Sequence, residues 1–137
     1  MTHNYYLYND PKDNRITWIP WDNNEALQNG KMGGAISISC NDVNNNWPLI
    51  RYILDDEIYA ANYKALLKQV IETAFEPSKM NAKYQNYSNL IREFAIGVNG
   101  EVDGYTFLNS ESDFDSAINS LITHVNQRIT SVNNYIN

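Results

Sequence analysis

Two short runs near the start of the chain consist of residues that favour β-strands. Tyr5 to Tyr8 is aromatic, and Arg15 to Ile19 alternates polar and apolar residues with a period of two. Between them, positions 9–14 are a cluster of turn-forming residues. Pro20 ends the second run because proline has no N–H group to donate to a strand partner. The pattern predicts a β-hairpin within residues 1–22.

Residues 23–46 have no sustained periodicity and are rich in asparagine and glycine. Irregular segments longer than about a dozen residues are usually functional or disordered, so this one is either a binding surface or a flexible excursion. Asp42 to Asn46 imitates the opening of a calcium-binding loop. However, Trp47 replaces the required glycine and Ile53 the closing glutamate. We therefore interpret it as a surface loop with incidental oxygen atoms.

From residue 47 to the end of the chain, apolar residues recur at intervals of three and four, the spacing of one helix face. The pattern predicts about four helices, bounded by capping and breaking residues. The first helix is capped by Asn46, has Pro48 in its first turn and ends at Leu54. The second is capped by Asp55 or Asp56 and ends at Glu76-Pro77, and the third is capped by Ser78 and ends before Gly97. The fourth begins near Ser110 to Ser112.

The apolar stripes of the last three helices are predicted to form the core. Their members are Tyr59, Tyr63, Leu66, Leu67, Val70, Ile71, Ala74 and Phe75, then Met80, Tyr84, Tyr87, Ile91 and Phe94, and finally Ile118, Ile122, Val125, Ile129, Val132 and Ile136.

This order of elements predicts an α+β fold with one hairpin, a long loop and about four α-helices, in three parts at residues 1–22, 23–46 and 47–137. There is no βαβ alternation and no internal repeat. A two-stranded hairpin is marginal by itself and needs a third strand or a helix to cover it. We therefore expect the hairpin to belong to something larger or to pack on the helices, as if the chain began within a domain.

Composition narrows the classes of function. The chain has 137 residues, with 10 Lys and Arg against 16 Asp and Glu and a net charge of −6. This size suits a single domain. Ten scattered basic residues provide no cluster that would neutralise nucleic-acid phosphates. No apolar run approaches the roughly 18 residues of a membrane span, and the N-terminus has no secretory-signal pattern.

Nucleophilic and zinc chemistry have no specific support. Cys40 is the only cysteine, which excludes an internal disulfide and a multi-thiolate zinc site. His3 and His124 are far apart in the sequence, and no serine lies in a Gly-x-Ser-x-Gly motif. His124 lies beside the apolar stripe of the last helix, which favours a structural or solvent-facing histidine over a metal ligand.

The open end of the predicted hairpin is the candidate site. Asn4 precedes the first strand and Asp22 follows the second, so an amide oxygen and a carboxylate are delivered to the same end of two antiparallel strands. Magnesium takes one or two protein oxygens and otherwise prefers water and substrate phosphate. Phosphoryl-transfer sites use a metal-binding aspartate together with an asparagine. The alternative is that Asp22 only caps the following turn and Asn4 is a strand-edge residue.

At these residues the sequence resembles the spore coat protein H (CotH) kinase family. Its members have an aromatic-rich strand like His3 to Tyr8 and a second strand ending in Pro-Trp-Asp, here Trp18 to Asp22. The resemblance is specific over residues 2–27. It extends more loosely through the helices, at Phe75, Phe114 and the element at positions 126–129.

The resemblance implies the C-terminal part of an atypical protein-kinase-like fold that transfers the γ-phosphoryl group of ATP to protein Ser or Thr. It implies Mg²⁺ and ATP as cofactors. Asp22 would be the catalytic, metal-binding aspartate and Asn4 the amide ligand. The substrate would be a coat or surface protein, and the location the cell envelope, the extracellular space or the spore coat.

Two departures from the family pattern favour an alternative function. Position 24 is Asn24 where a second acid is common, and Glu25 compensates only if the turn presents it inward. The nucleotide loop, the phosphate-pairing lysine and the catalytic aspartate expected upstream of Asn4 have no counterpart here, so we expect the segment alone to be inactive. The alternative is a non-catalytic interaction module that uses its Asn- and Tyr-rich surface.

Overall fold

The computed structural model describes residues 4–23, 26–27, 37–98, 100 and 108–137. These residues form a two-stranded antiparallel hairpin followed by four helices, which confirms the predicted α+β arrangement. The elements are β1 (Tyr5–Asp10), β2 (Arg15–Pro20), α1 (Pro48–Asp55), α2 (Glu57–Glu72), α3 (Pro77–Ile96) and α4 (Glu111–Ile136). The chain divides into two compact units, residues 1–35 with the hairpin and residues 36–137 with the helices.

The hairpin strands are slightly longer than predicted. Tyr5 lies opposite Pro20 at the open end, and Asp10 lies opposite Arg15 at the turn. The turn is closed by the Asn14 amide, which donates to the Asp10 carbonyl oxygen at 2.8 Å. Asn14 adopts the left-handed conformation with φ of 57°, which asparagine tolerates better than most residues. The turn-forming residues therefore fix the register of the whole hairpin.

Capping residues explain where α2 and α4 begin. The Asp56 carboxylate accepts hydrogen bonds from the amides of Ile58 and Tyr59 at 2.9 and 3.0 Å. The Ser110 hydroxyl accepts from the Asp113 amide at 3.3 Å. These side chains satisfy amide groups that have no partner within the helix. The predicted cap at Asp56 and the predicted start at Ser110 are confirmed.

Two other predicted caps are wrong by one or two residues. Trp47, not Asn46, occupies the N-cap position of α1, and no side chain caps it. Glu76, not Ser78, is the N-cap of α3, and its carboxylate accepts from the amides of Ser78 and Lys79 at 3.0 and 2.9 Å. In both helices proline is the first residue, because its fixed φ suits that position and its missing N–H is not needed there.

Helix α2 ends earlier than predicted. It stops at Glu72 rather than at Glu76-Pro77, and residues 73–75 form a turn. The Val70 carbonyl oxygen accepts from the amides of both Thr73 and Phe75, at 3.3 and 2.8 Å. These two bonds to one carbonyl close the helix before the proline is reached.

The core is centred on α4, as its apolar stripe predicts. Val125 is fully buried and Val132 is 4% exposed, whereas the four isoleucines of the stripe are half-buried. Phe114 near the start of α4 is also buried, as are Tyr84 and Ser88 of α3. Both α2 and α3 contact α4. The longest helix is therefore the one on which α2 and α3 pack, whereas α1 packs on α2.

The predicted core stripes of α2 and α3 are confirmed only in part. Of their thirteen members, Tyr84 is buried, five are half-buried and seven are exposed. No residue of α2, all of which the structure describes, is buried. In α3, the face with Tyr84 and Ser88 is the buried one. The next face around the helix, with Tyr87, Ile91 and Phe94, is 48–74% exposed. Only one side of each helix meets α4, so a stripe that is apolar in sequence is covered only where a neighbour lies over it.

His124 is a structural residue, in agreement with the first of its two predicted readings. It is 6% exposed within the buried part of α4. Burial, with a smaller contribution from the positive charge of Arg128, lowers the pKa of its imidazole. It therefore remains neutral at neutral pH.

Candidate metal-binding site at the open end of the hairpin

The structure brings the two predicted site residues, Asn4 and Asp22, into direct contact. The Nδ2 amide of Asn4 donates a hydrogen bond to Oδ2 of Asp22 at 3.0 Å. Asn4 is buried at 9% exposure, whereas Asp22 is exposed. A covered amide therefore holds an accessible carboxylate.

The hairpin backbone accounts for this contact. Antiparallel strands bring the residue before β1 and the residues after β2 to the same end. The pairing continues one step past Tyr5 and Pro20, because the Trp21 amide donates to the Asn4 carbonyl oxygen at 3.1 Å. Asn4 is thus tied to the second strand through its backbone as well as its side chain.

Asp22 marks the point at which the extended chain ends. It has φ of 56°, in the left-handed region, which aspartate enters more readily than most residues. The change from extended to left-handed backbone directly after Trp21 accompanies the turn of the carboxylate toward Asn4. An aspartate at the end of Pro-Trp-Asp therefore suits this backbone as well as the chemistry.

Aromatic side chains support the site from one face of the hairpin. Tyr6 and Trp21 stack with ring centroids 6.1 Å apart and planes 25° from parallel. Such offset pairs add stability beyond the area they cover. The sequence reading used Trp21 only as part of a motif and missed this contact. The alternation of side chains along a strand could have predicted this contact. Trp21 is two residues after Ile19 and therefore on the same face, and Ile19 lies opposite Tyr6.

The donor set fits a magnesium ion that is otherwise held by water and phosphate. The hydrogen bond from Asn4 uses Oδ2 of Asp22 and leaves the lone pairs of Oδ1 for a cation. Asn4 presents its amide nitrogen to the carboxylate. Its amide oxygen would join Asp22 as a ligand for the cation only after the amide rotates by a half-turn. In the hydrogen-bonded arrangement the pair offers one protein oxygen, Oδ1 of Asp22, and magnesium sites that also bind phosphate are held by only one or two carboxylates.

His3, Asn24 and Glu25 lie outside the described residues, so the predicted compensation by Glu25 stays a prediction. Within the described ranges, no group of three or more His, Cys, Asp or Glu side chains is arranged to hold a metal ion. The candidate site is accordingly a sparse one built on Asp22.

Asp42 of the calcium-like loop is engaged by its own loop. Its carboxylate accepts from the Ser37 hydroxyl at 2.7 Å and from the Ser37 amide at 3.2 Å. These hydrogen bonds lower the pKa of Asp42, because they stabilise the ionised form. The carboxylate thus closes a turn.

Cys40 is an unsuitable nucleophile. It is half-buried, and this burial, with the nearby charge of Asp42, raises the pKa of its thiol. The protonated thiol is therefore the main form at neutral pH, whereas the thiolate is the reactive form. The adjacent Ile38 carbonyl oxygen accepts a hydrogen bond from the Tyr63 hydroxyl at 3.0 Å. This contact attaches the loop to α2.

Comparison with known proteins identifies one family. A family model described as CotH kinase protein matches residues 1–132, nearly the whole chain. Neither the search of curated proteins nor that of solved structures gave a match.

Proposed function

The chain belongs to the CotH kinase family, and from this premise we propose that it is the C-terminal part of an atypical protein kinase. In this proposal the complete protein transfers the γ-phosphoryl group of ATP to Ser or Thr of a protein substrate. Residues 1–22 contribute the metal-binding end, residues 23–46 border the approach of the substrate, and residues 47–137 form the supporting helices.

The contact between Asn4 and Asp22 is the observation that carries the proposal. Asp22 is the residue that would hold Mg²⁺. Asn4 would position its carboxylate through the hydrogen bond from Nδ2, or would serve as the second ligand after a half-turn of its amide. When bound, the ion neutralises charge on the phosphates during transfer. Asn4 fixes the direction of the carboxylate, because its own amide is buried and its backbone is tied to Trp21.

The segment alone is proposed to be inactive. Phosphoryl transfer depends almost entirely on positioning and on electrostatic stabilisation of the transferred group. The nucleotide loop, the phosphate-pairing lysine and the base that orients the hydroxyl have no counterpart in these residues. They would be supplied by a preceding part of the protein.

The proposed substrate is a coat or surface protein, and the proposed location is the cell envelope, the extracellular space or the spore coat. The family description supports a protein substrate. Among the described residues, no helix is both long and apolar enough to cross a membrane.

A second function, a non-catalytic interaction module, is favoured by the surface of the hairpin. Tyr6, Tyr8 and Trp18 are 51–63% exposed, so aromatic side chains project from both faces. Large amphipathic rings of this kind are common at binding surfaces. Asn24 in place of a second acid also removes a negative charge from the metal site.

The test is magnesium-dependent ATP binding and phosphate transfer by the complete protein. Wild type is compared with Asp22→Ala, and Asp13→Ala, at the opposite end of the hairpin, is the matched control. The kinase proposal predicts that only Asp22→Ala loses transfer. If wild type binds no nucleotide, the interaction module replaces the kinase.

A further inference from the structure

Helix α3 carries an apolar face that the described helices leave uncovered. Its residues recur at intervals of three and four along the helix and just beyond its end. They are Tyr87 at 63% exposure, Leu90 at 68%, Ile91 at 48%, Phe94 at 74% and Val98 at 98%, and together they are called the α3 stripe. Contiguous apolar surface of this kind marks an interaction site in folded proteins.

The α3 stripe is separate from the face of α3 that packs on α4. That packed face contains the buried Tyr84 and Ser88. It also contains Arg92, which forms a bidentate ion pair with Asp115 at 2.6 and 3.2 Å. Successive residues of an α-helix are about 100° apart around its axis, and the stripe is rotated by about this angle from the face that contacts α4. The contact with α4 therefore leaves the stripe available.

The area of the stripe suits a small interface between two copies of the chain. An aromatic side chain buries about 150–250 Å² when fully covered, so covering the exposed parts of Tyr87 and Phe94 in two copies removes on the order of 500 Å² from water. Leu90, Ile91 and Val98 bring the total to on the order of 1,000 Å², which is the lower range of specific interfaces.

The charged residues beside the stripe are complementary to the same residues of a second, antiparallel copy. Lys79, Lys83 and Glu93 are exposed on one flank of α3, with the two lysines toward the N-terminal end and the glutamate toward the C-terminal end. When two identical helices pack antiparallel about a two-fold axis, each flank faces the same flank of the other copy. With the axis near residue 88, Lys83 of one copy meets Glu93 of the other, and the pair occurs twice in each dimer.

We propose that the α3 stripe is a homodimer interface, with the α3 helices of two copies packed antiparallel. Tyr87, Ile91 and Phe94 form its apolar centre, and the two Lys83–Glu93 pairs set its direction. All residues of this interface belong to the helical unit, residues 36–137.

The experiment is sedimentation equilibrium of the full chain over a concentration series. Wild type is expected to dimerise with a Kd on the order of micromolar, typical of a small interface. Phe94→Asp is expected to weaken dimerisation at least about ten-fold. Tyr52→Asp is the control, because Tyr52 on α1 is 73% exposed and lies off the stripe. Circular dichroism verifies that each variant is folded.

A charge exchange tests the antiparallel direction. Lys83→Glu places two acids opposite each other and is expected to weaken the dimer at low salt, whereas the double variant Lys83→Glu/Glu93→Lys restores it. A wild type that stays monomeric across the series overturns the proposal. So does equal weakening by Phe94→Asp and Tyr52→Asp, or a double variant no tighter than Lys83→Glu.

Discussion

The Nδ2 amide of Asn4 donates a hydrogen bond to Oδ2 of Asp22 at 3.0 Å across the open end of the hairpin, linking residues 18 positions apart. Asn4 is buried and tied to the Trp21 amide, so it can fix the direction of the exposed carboxylate. The two residues therefore have different roles in the proposed site, Asp22 as ligand and Asn4 as its support.

These roles predict graded effects on divalent-ion affinity, measured by calorimetric titration with Mg²⁺. Asp22→Ala is expected to abolish binding because it removes the only carboxylate of the pair. Asn4→Ala is expected to weaken binding by roughly ten-fold, the effect typical of residues that orient a ligand. Affinities of the two variants equal to that of wild type would contradict both roles.

The N-cap of α2 predicts a local loss of stability. Asp56→Ala removes the acceptor for the amides of Ile58 and Tyr59 and is expected to lower the free energy of unfolding by about 1 kcal/mol. Asp55→Ala is the matched control, because Asp55 makes only a 3.8 Å surface ion pair with Arg51. Its expected effect is below about 0.5 kcal/mol in urea unfolding. Equal losses in both variants would show that the cap contributes nothing specific.

Substitution in the buried centre of α4 is predicted to cost more stability than loss of the α2 cap. Val125→Ala removes two methyl groups from a fully buried side chain and is expected to lower the free energy of unfolding by about 2 kcal/mol. Val70→Ala makes the same substitution at a residue of α2 that is 45% exposed and lies off the α3 stripe, and it is expected to lower stability by less than about 1 kcal/mol. Similar values for the two variants, from urea unfolding, would place the core elsewhere.

His124 predicts a dependence of stability on pH. Burial lowers the pKa of His124 in the folded chain, so the unfolded chain binds the proton more tightly. The stabilisation from the neutral imidazole is complete above the unfolded pKa, at about 6.5, and is lost as pH falls toward the folded pKa. Carboxylates titrate mainly below this window.

The substitution His124→Gln is therefore expected to flatten the stability profile between about pH 7.5 and pH 5. Thermal unfolding across this range measures the slope. Val125→Ala serves as the control, because it lowers stability but keeps the histidine and so keeps the slope. An unchanged slope in His124→Gln would assign the pH dependence to other groups.

The hairpin and the proximity of its two polar residues follow directly from the sequence. A period of two fixes which residues share a face, and turn-forming residues at one end of a hairpin bring the other ends together. This is why Asn4 and Asp22 could be singled out without coordinates. The amide orientation could not, because it depends on the torsion of one side chain and on the left-handed backbone at Asp22.

The helices show the limit of periodicity. Their number and approximate positions follow from capping residues and from spacing of three and four. The stripe of α4 is buried, but Tyr87 and Phe94 of α3 are exposed although their spacing is equally regular. Periodicity identifies an apolar face, whereas burial requires a neighbour over that face. In α3 the neighbour covers Tyr84 of the predicted stripe but not Tyr87 or Phe94.

The most direct test of the metal site is paramagnetic broadening of amide signals by Mn²⁺, which substitutes for Mg²⁺, in nuclear magnetic resonance spectra of the chain. Asp22 as the ligand predicts broadening at Asn4, Trp21 and Asp22 and sharp signals at the turn from Asp10 to Asn14. It also predicts loss of the broadening in Asp22→Asn but not in Asp13→Asn. Broadening centred on the turn, or unchanged in Asp22→Asn, would contradict a metal site at Asp22.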